Sequence, residues 1–186
     1  MAHTSRRRFL GGLSVLAAAM ARAPRVLAQS NGRRSLAFAH THTGERLATV
    51  YFEGGAYVPT ALESINHLLR DFRTETVHPI EPQLLDRLYT LQAALGNEAA
   101  FQVICGYRSP QTNSMLRGRS SGVAEHSLHM QGRAIDIRLP GIDTTQLALL
   151  ARRTLAGGVG FYRVSDFVHV DTGALRHWGD PIGGMS

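Results

Sequence analysis

The sequence predicts an α+β domain built on a mostly antiparallel central sheet, with helices towards its N-terminal side. Three observations carry that expectation. Two stripes of leucine and isoleucine at helical spacing fill residues 59–96. Four short strand-like runs crowd into residues 101–171, with one more helical pattern among them. A segment of alternating apolar residues, broken by Thr43-Gly44-Glu45, precedes both.

Residues 35–52 come first and read as a hairpin. Leu36, Phe38 and His40 alternate with small or polar residues, the turn follows, and residues 47–52 return. His40 and His42, two apart, point to one strand face and are expected to be surface or hairpin histidines. Pro59-Thr60 opens the first helix, with Leu62, Ile65, Leu68, Leu69 and Phe72 on one face. Glu81-Pro82 opens the second, with Leu84, Leu85, Leu88, Leu91 and Leu95 at helical spacing and Gly96 as its stop. His67 and His78 have no partner nearby in sequence and are expected to be structural. Strands are then expected at residues 101–106, 133–139, 159–162 and 167–171, with a helix at 144–155 capped by Thr144.

The first 28 residues read as a signal and not as part of the fold. Ser5-Arg6-Arg7-Arg8-Phe9-Leu10 is a twin-arginine sequence, followed by an apolar run over residues 11–21 and then Val26-Leu27-Ala28. An apolar stretch so short, with basic flanks, suits a signal peptide cleaved after Ala28 better than a membrane span. The plainer alternative is an uncleaved N-terminal anchor. A cleaved twin-arginine signal implies export of a folded protein to the periplasm, with residues 29–186 as one domain.

Five of the twenty basic residues lie before residue 28, and all fourteen acidic ones lie after it. The remainder carries fifteen arginines against fourteen acids, a formal +1, and shows no basic stripe that would suit nucleic acid. The only cysteine, Cys105, rules out an intramolecular disulfide. It sits in an apolar run and reads as a small buried side chain in preference to a nucleophile.

Two stretches carry the chemistry: Ser127-Leu128-His129-Met130-Gln131-Gly132-Arg133-Ala134-Ile135-Asp136 and Asp166-Phe167-Val168-His169-Val170-Asp171. They offer two imidazoles and a carboxylate to one metal ion, and a spare carboxylate three residues before the second imidazole. A hydrolytic zinc site needs three protein ligands, an open position for water and a base. Strand alternation puts Asp136 on the face of Ala134, and His169 on the face of Asp171, with Ile135, Ile137, Val168 and Val170 turned to the core. Taken singly, each residue has a plainer reading as a hydrogen-bonded strand residue or a strand-end cap.

These motifs resemble the zinc D-Ala-D-Ala-metallopeptidases of peptidase family M15, and in particular the YcbK-like branch related to murein endopeptidase K. Ser-x-His-x-x-Gly-x-Ala-x-Asp carries the family likeness. Gly106-Tyr107-Arg108-Ser109-Pro110, Gly157-Gly158-Val159-Gly160-Phe161-Tyr162, Phe167–Gly173 and Arg176-His177-Trp178 carry the likeness to the branch. The resemblance spans roughly residues 36–178. It implies a hedgehog/D-Ala-D-Ala-peptidase-like fold and one zinc ion held by His129, Asp136 and His169. It implies Asp166 as general base, with Glu125 and His126 as second choices, and Arg108 as stabiliser of the oxyanion. Ser127 and Tyr107 are candidates for substrate contact, and Asp171 for orienting a ligand imidazole or closing its strand. The implied substrate is peptidoglycan, at stem peptides or at cross-links that include L,D-type bonds between diaminopimelate residues. Endopeptidase action leads, D,D- or L,D-carboxypeptidase action on the same substrate is the alternative, and a non-catalytic zinc-stabilised wall-binding module is the reading outside enzymes.

Overall fold

The computed structural model describes Met1 and residues 32–120 and 122–179. The expected signal peptide, Met1 apart, therefore lies outside the described residues. The chain runs β1 (Arg34–His40), β2 (Arg46–Glu53), β3 (Ala56–Tyr57), α1 (Pro59–Leu68), α2 (Pro82–Leu95), β4 (Phe101–Cys105), α3 (Pro110–Arg117), a 3-10 turn (Leu128–Gln131), β5 (Ala134–Arg138), α4 (Thr144–Thr154), β6 (Gly158–Tyr162), β7 (Phe167–Asp171) and β8 (Arg176–Trp178). The eight strands form one sheet in the order β3-β2-β1-β4-β5-β7-β6-β8. Five of its seven pairings are antiparallel; β1 with β4 and β6 with β8 are parallel. The α+β expectation holds.

The apolar stripes do what their spacing predicts. Leu84, Leu85, Leu88 and Leu91 of α2 are fully buried, with Leu147, Ala148 and Ala151 of α4, against Phe38, Phe101, Val103, Ile135, Ile137, Val168 and Val170 of the sheet. Gly96 ends α2 in the left-handed conformation, φ 60°. Helix α1 stops at Leu68, so Phe72 lies beyond it and stacks on His42 instead, 4.2 Å between ring centroids.

Three local expectations need correction. Asp143, and not Thr144, caps α4: its carboxylate accepts from the backbone N–H groups of Thr145 and Gln146. His40 is buried, because the end of β1 keeps the core-facing alternation of Leu36 and Phe38. Its Nδ1 accepts from the N–H groups of His42 and Thr43. Helix α3 was not expected at all. Pro110 opens it, and the hydroxyl of Ser109 caps it by accepting from Thr112 N–H.

The turn leading into α3 is tied to the segment that follows α1 at two points. Tyr107 N–H donates to Leu69 O at 2.7 Å, and a Cβ on Gly106 would stand 2.5 Å from that oxygen, so the approach requires glycine. The buried carboxylate of Asp71 accepts from Ser109 N–H and Oγ, at 2.8 and 2.6 Å. Burial alone would raise the Asp71 carboxyl, but hydrogen bonds led by those from Ser109 pull it down to about 2. Its stabilising effect is therefore complete above the ordinary carboxylate range and is lost as pH falls from about 4 towards 2. Asp71→Ala is expected to cost about 2–3 kcal/mol in urea unfolding at pH 7, where charged hydrogen bonds are broken. The deficit should shrink below pH 3; a loss independent of pH would contradict the assignment.

Candidate metal centre

The strand registers align one row of residues across the sheet. Cys105 of β4 pairs with Asp136 of β5, Asp136 with His169 of β7, His169 with Gly160 of β6, and Gly160 with Trp178 of β8. Alternation buries Ile135, Ile137, Val168 and Val170 beneath the row, leaving Asp136 and His169 on the face away from the core. His129 arrives from the 3-10 turn. Ser127 caps that turn, its Oγ accepting from His129 N–H. Gly132 ends it at φ 65°, where a Cβ would stand 2.0 Å from Pro79 O.

His129 Nε2, Asp136 Oδ1 and His169 Nδ1 converge into a triangle with edges of 3.2, 3.2 and 2.9 Å. Three ligands at about 2.0–2.2 Å from a tetrahedral ion stand roughly 3.3–3.6 Å apart, so the observed spacing is only slightly tighter. The outer ring nitrogens are fixed too. His129 Nδ1 lies 2.7 Å from Gly106 O, and His169 Nε2 lies 3.0 Å from Asp171 Oδ2. Each outer nitrogen therefore carries its proton, and each inner nitrogen is left as a lone pair aimed at the other two ligands. The three side chains are 3, 7 and 10 % exposed.

Three converging acceptors need a positive charge between them, and the electrostatics show the same demand. Burial opposes charge on His129, yet Asp136 and Cys105 outweigh it and hold the imidazolium up to about 10. Asp136 is likewise pulled far below the usual carboxylate range, burial being overcome by His129 and His169. Two imidazoles and one carboxylate match the donor set of a catalytic zinc site. The residues present fit the ion.

Comparison with known proteins points to one family. A family model described as peptidoglycan L,D-endopeptidase MepK matches residues 28–178. The chain is 43% identical over 170 residues to the peptidoglycan L,D-endopeptidase MepK of Escherichia coli K12, covering 91% of this chain and 93% of that protein. The protein of the same name from Shigella flexneri matches to the same extent. A protein named probable peptidoglycan L,D-endopeptidase MepK from Haemophilus influenzae is 38% identical over 91% of each chain. The chain belongs to the MepK family.

Beside the triangle of this MepK-family chain, Arg108 is at hand. Its Nη2 lies 3.8 Å from Asp136 Oδ2 and 3.5 Å from Cys105 Sγ, its Nη1 donates to Asn113 Oδ1, and its buried Nε has no partner among the described residues. Burial works against the charge, but Cys105 and Asp136 hold the guanidinium protonated.

Cys105 is where the sequence misleads. Simple alternation from Phe101 and Val103 would turn it to the core. A β-bulge between Val103 and Cys105 shifts the register, so Cys105 faces the row of Asp136 instead. Its sulfur lies within 4.8 Å of ligand atoms of His129 and Asp136.

The structure does not bring Asp166 to the cluster. It sits in the β6–β7 turn with φ 52°, and its carboxylate takes a 2.6 Å hydrogen bond from Thr144 Oγ1 and a 3.3 Å ion pair from Arg138. Glu125 is exposed and pairs with Arg117, and His126 is exposed. Tyr107 stacks on His78 with its ring buried, 4.6 Å between centroids. Ser127 is engaged in its cap. Asp171 is fully buried and accepts from Gly158 N–H, Gly173 N–H and Arg176 as well as facing His169. Asp171→Asn is expected to weaken zinc binding by about 10–100-fold through loss of this orientation. A competition titration against a chromophoric chelator measures it, and unchanged affinity would refute the role.

Proposed function

We propose that this chain is a zinc peptidase that hydrolyses peptide cross-links of peptidoglycan, outside the cytoplasm. The carrying observation is the His129–Asp136–His169 triangle, with both imidazoles locked so that their free nitrogens face one point. Kinship with proteins named for L,D-endopeptidase action on peptidoglycan supports the substrate. A zinc ion held there would lower the pKa of a bound water and polarise a substrate carbonyl.

The chain's own residues supply the rest. Asp171 holds His169 in the tautomer that leaves Nδ1 free. Arg108, with Nε unpaired, offers a donor to the oxygen that gains charge when a carbonyl is attacked. The acceptors placed beside the triangle but outside it are Asp136 Oδ2 and Cys105 Sγ, both within reach of Arg108. Asp166, held by Thr144 and Arg138, acts as a turn residue and not as the base. Asp166→Asn is therefore expected to keep kcat within about 3-fold; a loss near the ~10²–10⁴-fold typical of a removed acid–base group would restore Asp166 to that role.

Digestion of purified muropeptides followed by mass spectrometry tests the reading. Cleavage of cross-linked dimers between diaminopimelate residues is expected. Release of free D-alanine alone would show carboxypeptidase action instead. For the location, the twin-arginine segment is the proposed export signal. Replacing Arg6, Arg7 and Arg8 by lysine should retain the protein in the cytoplasm, and unaltered export would exclude that route. No helix among the described residues is long and apolar enough to cross a membrane.

A further inference from the structure

We propose that Tyr162 contacts substrate in this site, its hydroxyl oriented by Trp178 and donating a hydrogen bond to the carbonyl oxygen under attack. The inference rests on the peptidase reading and assigns it a further residue. Tyr162 closes β6 opposite Phe167 and follows two residues after Gly160, which faces His169. It therefore emerges on the face of the metal ligands, one step along the strand. Phe167 stacks on its ring at 4.5 Å between centroids and fixes the ring's position.

Trp178 supplies the direction. It is the chain's only tryptophan. Parallel pairing of β8 sets it beside Gly160, and its indole fills the space a side chain there would take: a Cβ on Gly160 would lie 2.3 Å from the ring. The same indole lies 5.1 Å from the His169 ring, centroid to centroid. Its Nε1 stands 3.0 Å from the Tyr162 hydroxyl. An indole N–H can only donate, so the phenol oxygen is the acceptor and keeps its own proton for another partner. Among the described residues, none is placed to accept that proton. Arg108 follows β4, on the other flank of the β5 and β7 strands in the sheet order, with its Nη2 3.8 Å from Asp136 Oδ2. Tyr162 and Arg108 thus present two donors from either side of the ground above Asp136 and His169. The role is hydrogen bonding alone; no bond to Tyr162 forms or breaks.

Tyr162→Phe removes the hydroxyl and keeps the stack on Phe167. Trp178→Phe removes the N–H and keeps an aromatic ring. On cross-linked muropeptides, Tyr162→Phe is expected to lower kcat by about 10–100-fold with KM little changed, since the bond strengthens as charge develops. Trp178→Phe is expected to cost less, about 3–10-fold, because the hydroxyl persists but loses its orientation. The double variant should be no worse than Tyr162→Phe alone, a coupling that a purely structural tryptophan would not show. Zinc content should stay at that of the wild type in all three. Wild-type kcat in Tyr162→Phe, or a Trp178→Phe cost that is equal in both backgrounds, would overturn the assignment. A wild-type protein that leaves muropeptides intact would instead overturn the peptidase reading beneath it.

Discussion

His129→Ala is expected to abolish bound zinc and wall-peptide hydrolysis together. His129 Nε2 is one vertex of a triangle whose other vertices are 3.2 Å away. Its ring is set by Gly106 O on one side and by the capped turn beneath it. Alanine leaves one imidazole and one carboxylate, too few to close a three-ligand site. Activity should fall by at least about 10³-fold, since a bound metal contributes several kcal/mol of charge stabilisation. The fold should survive, because the leucine core lies on the opposite face of the sheet. Metal analysis, muropeptide turnover and thermal unfolding on one preparation check the three statements. Full activity in a variant with no bound metal would refute them.

Arg108→Ala is expected to lower kcat by about 10²–10³-fold while zinc stays bound, the scale found when a donor to a developing oxyanion is removed. A guanidinium, most of it buried, lies 3.8 Å from the Asp136 carboxylate and keeps its Nε without a partner among the described residues. A buried donor left unpaired carries a cost unless something completes it, and the substrate oxygen would do so. Arg108→Lys should recover only part of the loss, because a point charge on a flexible stem does not reproduce the planar fork. Steady-state kinetics separate the outcomes. A rise in KM with kcat unchanged would make Arg108 a binding residue only, and loss of zinc would make it a support for Asp136.

The candidate ligands were named from two motifs and the family resemblance they carry, and the structure brings His129, Asp136 and His169 together. Period-two alternation in Ala134-Ile135-Asp136-Ile137 and Phe167-Val168-His169-Val170 separates polar from apolar faces, and the structure puts both on neighbouring strands in register. The helical stripes around Leu84–Leu91 were legible for the same reason. Asp166 shows the limit. Three residues before His169 is a suitable spacing for a base, but a left-handed turn and Thr144, 22 residues upstream, decide where the carboxylate goes. Cys105 depended on a bulge that alternation cannot reveal. Trp178 depended on a parallel pairing between β6 and β8, which brings it to Gly160 and the ligands. Helix α3 was missed because few of its residues are apolar; its signal was the Ser109-Pro110 start. Yet its Asn113 touches Arg108 and also holds the carbonyls of Ala124 and Glu125. For Asp166 and Trp178 the missing information is a contact with a residue far along the chain.

On the proposed reading, one metal ion held by His129, Asp136 and His169 is what this chain uses to cut wall peptides. Chelator-treated protein titrated with zinc while muropeptide cleavage is followed tests it most directly. Cleavage should be absent without metal, rise in proportion to added zinc and saturate at about one equivalent, as a single three-ligand site requires. Cleavage that persists in metal-free protein would contradict the account.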